Sequence, residues 1–374
     1  LKDNNFFIRT IKSVINVNGV KLTAEGFPHS SQDSESMSCA ETTVWALMEY
    51  FGNKYHQYST ILPSQIIGKL GEEPNLNLLP SNGMNNKTIS DILKRAGFNS
   101  KVYSNDVYDA KKFQETLNTY IESGVPVILG INNLVNKHVA LAIGRKYIAK
   151  EKIIETKETK AVKKVLIKDF DSAERDIITI DDNLPPYIST PILEPTTFYV
   201  EELKEYSWRN CSIDYFIVPL PQKIYLEAIR AKGCFYTFIE EIQDEIFCLD
   251  DKRTNYIRFF LTTSRSLKEN LLKNRKLNKD LMDLIVKYQL PQFVWVVEIS
   301  DEELFDEKKA DGLVIIDATE KDVKNFNPIL LAAANGKLIV QNPHAESHSY
   351  LDFKEESLSL SPFWMFNDNL KLYN

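Results

Sequence analysis

The chain has 374 residues, a net charge of -7, 43% hydrophobic and 26% charged residues. That length exceeds one ordinary hydrophobic core and predicts two domains. The acidic balance leaves no basic footprint for nucleic acid, and no apolar run approaches the ~20 residues needed to span a bilayer.

The four cysteines are Cys39, Cys211, Cys234 and Cys248, and none forms a CxxC pair. A zinc ribbon or a disulfide scaffold is therefore not expected, and a reducing, cytoplasmic compartment is the simpler reading. No signal peptide is read in the chain as given, which starts at Leu1.

Residues 1 to about 28 read as short strands, with "VINVNGVKL" a hairpin turned at Asn18-Gly19. A helix is expected from Cys39 to about Phe51. Its Val44, Leu47, Met48 and Phe51 recur at three- and four-residue intervals, and Gly52-Asn53 reads as its stop. "YSTILPSQIIGKL" suggests a short helix begun at Pro63 or Ser64. "NNKTISDILKRAGF" and "DAKKFQETLNTYIESG" read as two amphipathic helices closed by Gly97 and Gly124. "VPVILGI", "KHVALAIGRKY" and "DIITIDD" read as strands. Residues 145 to 176 carry ten basic and seven acidic side chains, which suggests a solvated hairpin protruding from the domain.

The prolines of "NLPPY" and "TPILEPT" interrupt regular structure, and a domain boundary is placed near residue 220. Beyond it a helix is expected from near Gln222 into "FYTFIEEIQDEIF". "SLKENLLKN" and "KDLMDLIVKY" are also read as helices. "YIRFFLTTS", "QFVWVVEI", "GLVIIDAT" and "GKLIVQN" are read as strands, with Trp295 in the core.

Cys39 is the residue with chemical promise, because it stands between a polar loop and a buried helix. Free N–H groups and the positive end of a helix dipole favour thiolate over thiol. A thiolate hydrolase also needs a base that returns a proton to the leaving group, a group to orient that base, and donors for the oxyanion. His138 opens a strand and is the candidate base. Asp181 and Asp182 end the next strand and are the candidates to orient it. Asp181 is favoured because it follows the last apolar strand residue, Ile180, and Asp182 stays as the alternative. Gln32, in the loop before Cys39, offers an amide for the oxyanion.

The order Gln32, Cys39, His138, Asp181 resembles the papain-like cysteine peptidases, and most closely the bacterial branch related to the double-glycine bacteriocin-processing peptidases. The segments that carry the likeness are "QDSESMSCAETTVW", "SGVPVILGI", "KHVALAIG" and "ITIDDNLPPY", within roughly residues 25 to 190. The spacing from Gln32 to Cys39 is one residue longer than the compact papain spacing. The charged insertion before Asp181 is atypical, and the branch's Asp-Pro is replaced by Asp181-Asp182-Asn183.

The resemblance implies an α+β papain-like domain over residues 1–220, a helix packed on an antiparallel sheet. A second α/β or α+β domain, of unassigned topology and role, follows over 221–374. It implies a cysteine hydrolase acting on a peptide or isopeptide-type amide in a peptide or protein substrate, without metal or cofactor. Two alternatives remain: a silent papain-like binding module, and a protein-glutamine deamidase or acyltransferase using the same cysteine.

Other candidates have plainer readings. Taken singly, a cysteine at a helix start is more often a small buried residue, and Cys234 and Cys248 sit in apolar stretches that suggest inert burial. His56 reads as an exposed loop residue and Asp317 as a turn former. His344 and His348 have an i, i+4 spacing that would suit a metal only on a helix, and a strand precedes them. Arg258, Arg265 and Lys268 form a weak candidate anion cluster at a helix start.

Overall fold

The computed structural model describes residues 6–31, 39–63, 65–66, 84–153, 155–158, 165–242, 252–273, 279–334, 337–341, 348–351 and 362–373. It is a mixed α+β structure that divides into two compact units. The first comprises residues 1–147, 174–222 and 370–374, and the second 148–173 and 223–369. The chain thus passes between the units four times, whereas the sequence suggested a single boundary near residue 220.

In the first unit an eight-stranded antiparallel sheet carries the architecture. Its strands are β1 (Phe6–Ile8), β4 (Phe98–Ser104), β5 (Val127–Asn132), β6 (Lys137–Lys146), β7 (Asp176–Ile180), β8 (Ile188–Pro191), β9 (Ser212–Pro221) and β10 (Lys371–Tyr373). The main path runs β8-β7-β6-β5-β9-β4; β1 pairs with β6, and β10 with β1. Strands β2 (Ile11–Val17) and β3 (Val20–Gly26) form the expected separate hairpin, turned at Asn18-Gly19.

Helix α1 (Cys39–Lys54) packs its Val44, Leu47, Met48 and Phe51 against Val139, Leu141 and Ile143 of β6 and Ile178 and Ile180 of β7. The odd-numbered residues of β6 share one face because strand side chains alternate. Truncating Leu47 to alanine there would cost about 2–5 kcal/mol. The helix runs past the stop expected at Gly52-Asn53. A Cβ at Gly52 would lie 2.6 Å from the Thr60 backbone nitrogen, so this glycine admits the returning chain rather than ending the helix.

Helices α2 (Asn86–Arg95) and α3 (Ala110–Glu122) begin where capping chemistry places them. Asn85 Oδ1 accepts from the Thr88 N–H, and Asp109 Oδ1 accepts from the Lys112 N–H, both at 2.9 Å. At the end of α3, Glu122 is fully buried and accepts from Arg145 of β6, with Nη2 to Oε1 at 3.1 Å. Most of the short helix expected around Pro63 lies outside the described residues.

The second unit holds another eight-stranded sheet. Its strands, in spatial order, are His348–Leu351, Lys337–Gln341, Ile329–Ala334, Gly312–Asp317, Phe293–Ser300, Thr254–Thr263, Leu166–Asp169 and Glu155–Glu158. All neighbours are antiparallel except Thr254–Thr263 and Leu166–Asp169, which run parallel. Trp295 is fully buried and donates from Nε1 to the Leu226 carbonyl at 2.8 Å.

The segment read as a protruding hairpin does form two antiparallel strands, but they extend this second sheet. The reading weighed its alternating charges and missed the widely spaced Ile148, Ile153 and Phe170, which are buried with Tyr256. The strand Ile329–Ala334 was also missed, because "ILLAAA" is a short apolar run without alternation.

Candidate active site

The site is built where the head of α1 meets the beginning of β6. Thr43, one turn into α1, donates from Oγ1 to the Val139 carbonyl at 3.3 Å, tying the helix to the strand beside His138. His138 is the second residue of β6 and is 5% exposed. Cys39, partly buried, lies within hydrogen-bonding reach of the imidazole.

Sheet register selects between the two aspartates. The pair Leu141↔Ile180, extended by one step, sets Asp181 opposite Ala140 and on the same face as His138. Asp181 Oδ2 is accordingly 2.9 Å from His138 Nε2, whereas Asp182 Oδ1 is 3.9 Å away. The shorter contact lies outside good N–H alignment, so it is a close charge contact rather than a well-directed hydrogen bond.

Asp181 is held from several directions. The buried Tyr199 hydroxyl lies 3.0 Å from each of its carboxylate oxygens, and the Asn183 N–H donates to Oδ1 at 3.0 Å. His29 donates from Nε2 to the Asp181 carbonyl at 3.2 Å; since a carbonyl only accepts, this nitrogen carries the proton. Asp182 is different. Its side chain is 2% exposed, and neither carboxylate oxygen has a hydrogen-bond partner in another described residue, with only its own backbone N–H close by.

Two aromatic rings border the imidazole. Trp208 stacks on Tyr199 with centroids 4.4 Å apart, and their rings stand edge-on to His138 at 5.7 and 6.1 Å. Tyr199 lies in α4 (Thr197–Glu201) and Trp208 in a short 3-10 turn.

On β9, Tyr215 pairs with Gly130 of β5 just past a bulge. A Cβ at Gly130 would come within 2.2 Å of the Tyr215 ring, so the glycine in "VILGI" is what admits that ring. Tyr215 in turn feels the charge of Cys39.

Electrostatics follow from this burial. Burial alone would lower the His138 pKa, but Asp181, by charge and contact, and Cys39 together raise it to about 10. Burial pushes Asp182 up to about 6; the His138 charge opposes this and the Asp181 charge adds to it. Tyr199 is raised by burial and then by Asp181, and Tyr215 is raised to about 12 by burial and then by Cys39. Burial also raises the Cys211 thiol, against a hydrogen bond from Thr196 and the charge of His138.

Cys39, His138, Asp181 and Asp182 therefore come together, while Gln32 lies outside the described residues. So do His344 and Cys248. His348 begins a strand, so the helical metal pair does not form there. Cys234 is buried with its thiol raised to about 11, and His56 is exposed. Asp317 accepts from the Thr319 backbone and hydroxyl, as a turn former does.

The expected anion cluster is corrected. Arg258 is buried on Glu298 Oε2 and the Phe366 carbonyl, Arg265 pairs with Glu269, and Lys268 donates to the Val286 and Tyr288 carbonyls. Each cation is engaged by partners of its own rather than sharing one site.

Sequence reasoning missed Tyr199, Trp208, Tyr215 and His29. Bulky aromatics in the otherwise polar "TTFYVEELKEYSW" were the available signal for the first two. A cavity of about 220 Å³ runs along Trp45, Glu49 and Asn53 of α1 and shares no residue with the site. The imidazole and the two aspartates bring three potential metal-ligand atoms within 4.8 Å of one another. No protein-family model matches the chain, and no curated protein matches it.

Proposed function

We propose that the chain is a papain-like cysteine hydrolase that cleaves a peptide or isopeptide-type amide through Cys39, His138 and Asp181. The observation that carries this reading is a buried imidazole with a thiol at a helix head within reach and a carboxylate at 2.9 Å from Nε2. With Nε2 on Asp181, Nδ1 is the ring nitrogen left to serve the sulfur.

The Cys39 thiolate attacks the amide carbonyl, forming the C–S bond while the carbonyl π pair moves to oxygen. In this reading the oxyanion is held by free N–H groups at the head of α1, with Gln32 as the further donor expected from sequence. Collapse expels the amine, which takes the Nδ1 proton of the His138 imidazolium and leaves a thioester. Water then attacks the thioester, His138 accepts its proton, and the acid departs as the thiolate is released, restoring the thiolate–imidazolium pair. Asp181 keeps the ring oriented and stabilises its cationic form.

The raised pKa of His138 supports the acid role, and the ring is buried beside Tyr199 and Trp208. The test is mass-spectrometric measurement of iodoacetamide alkylation. Cys39 should react at pH 6 at least tenfold faster than a small free thiol, which is largely protonated there, and His138→Ala should remove that advantage. A Cys39 no faster than the free thiol sinks the proposal and favours a binding module. Ammonia release from a protein glutamine without chain cleavage would reassign the same nucleophile to deamidation.

A further inference from the structure

We propose that His138, Asp181 and Asp182 form a binding site for a divalent metal ion of the zinc class. His138 Nε2 and one carboxylate oxygen from each aspartate lie within 4.8 Å of one another, and all three residues are buried. Donors about 2.0–2.2 Å from one tetrahedral ion stand roughly 3.3–3.6 Å apart. The distances from His138 Nε2, 2.9 Å to Asp181 and 3.9 Å to Asp182, straddle that spacing. Small side-chain rotations bring the three atoms to a common ion.

A second observation points to a ligand. No other described residue donates to either buried Asp182 oxygen, its own backbone N–H being the donor beside it, and the carboxylate faces the imidazole. A buried carboxylate short of donors is costly, and a metal ion in place of the imidazolium proton would be shared by both aspartates and the ring nitrogen. The mixed nitrogen and oxygen donors suit zinc better than calcium, which takes six to eight oxygens. Tyr199 and the Asn183 N–H already fix the Asp181 carboxylate, as outer partners of metal-ligating groups do.

The consequence for activity, and only that consequence, rests on the hydrolase reading above. A metal on Nε2 takes the place of a proton, so the ring is no longer an imidazolium. The Nδ1–H that remains is too weak an acid to protonate a leaving amine. Occupation therefore silences the site without touching the thiol.

The experiment is calorimetric titration of zinc chloride into the metal-free full chain. One saturable site per chain is expected in the wild type, retained within threefold in Cys39→Ala and weakened at least tenfold in Asp182→Asn. Absence of saturable binding, or undiminished binding in Asp182→Asn, overturns the proposal. Loss of binding in Cys39→Ala assigns the ion to the thiol and overturns it too. If Asp182→Asn does not fold, the cobalt(II) spectrum of the wild type decides. Ligand-field bands without thiolate charge transfer support the site, and a thiolate charge-transfer band refutes it. Alkylation of metal-free Cys39 tests the hydrolase reading separately, so either idea can fail alone.

Discussion

In the second unit Lys232 Nζ lies 2.9 Å from Asp169 and 2.7 Å from Asp171. In the first, His138 Nε2 lies 2.9 Å from Asp181 but 3.9 Å from Asp182. Both clusters join one base to two buried aspartates close in sequence. The lysine ends in a compact ammonium with three rotatable donors, so one cation serves both acids. The Tyr236 hydroxyl donates to Asp169 at 2.9 Å as well. Burial alone would lower the Lys232 pKa, but Asp169 and Asp171 outweigh it and raise it.

Imidazole is a rigid ring with one nitrogen on each side, and the side facing the aspartates meets only Asp181 closely. Asp182 has no donor in another of the described residues. Native interiors avoid such groups, and the exceptions concentrate where a site does chemistry or takes a ligand. The lysine cluster is accordingly a cross-link, whereas the histidine cluster leaves one of its acids without a donor from another described residue.

That comparison predicts opposite mutational signatures. The largest effect is expected at Cys39. Cys39→Ala should lower amide hydrolysis at least a thousandfold, on the order seen when a nucleophile is removed, while the urea midpoint stays where it was. Retained turnover in a clean preparation breaks the reading.

Lys232→Met should show the reverse. It strands two buried carboxylates and should cost about 3–5 kcal/mol in urea unfolding, with Cys39 alkylation changed less than twofold. A small stability loss there would mean that the aspartates find other partners and that the contrast between clusters is false.

Tyr199→Phe lies between these extremes. Asp181 loses a buried donor, which should cost about 1–2 kcal/mol. Because Asp181 then orients His138 less firmly, Cys39 alkylation at pH 6 should slow severalfold. A purely structural Tyr199 would lose the stability and leave the rate unmoved.

The smallest effect is a control outside both clusters. Burial, then the charges of Arg9 and Lys371, lower Lys54 to about 7. A base with a depressed folded pKa favours the deprotonated fold. Its cost is therefore full below pH 7 and fades as pH rises toward its unfolded value near 10.5. After allowance for solvent screening the cost is about 1–2 kcal/mol. Lys54→Met should raise the melting temperature more at pH 6 than at pH 10, and an equal rise at both would show that the charge is not the cause.

Much of this architecture was legible because local physics dominates it. Asn85 and Asp109 cap their helices, Val44, Leu47, Met48 and Phe51 mark a buried stripe, and "VPVILGI" is too apolar to be anything but interior. Residues 148–173 were misread because their partner, the strand Thr254–Thr263, lies about a hundred residues later, and no local pattern encodes that pairing.

The sequence by itself determined the mixed α+β class, the helix that opens at Cys39, and the presence of the strands that carry His138 at one end and lead to Asp181 at the other. Periodicity and capping are short-range and survive in one dimension. Only the tertiary structure decided that Asp181 rather than Asp182 comes to 2.9 Å from the ring, that Tyr199 and Trp208 border it, and that no other described residue donates to Asp182. Those outcomes depend on strand register and on chain segments meeting across scores of residues. A shift of one residue along β7 would exchange the two aspartates.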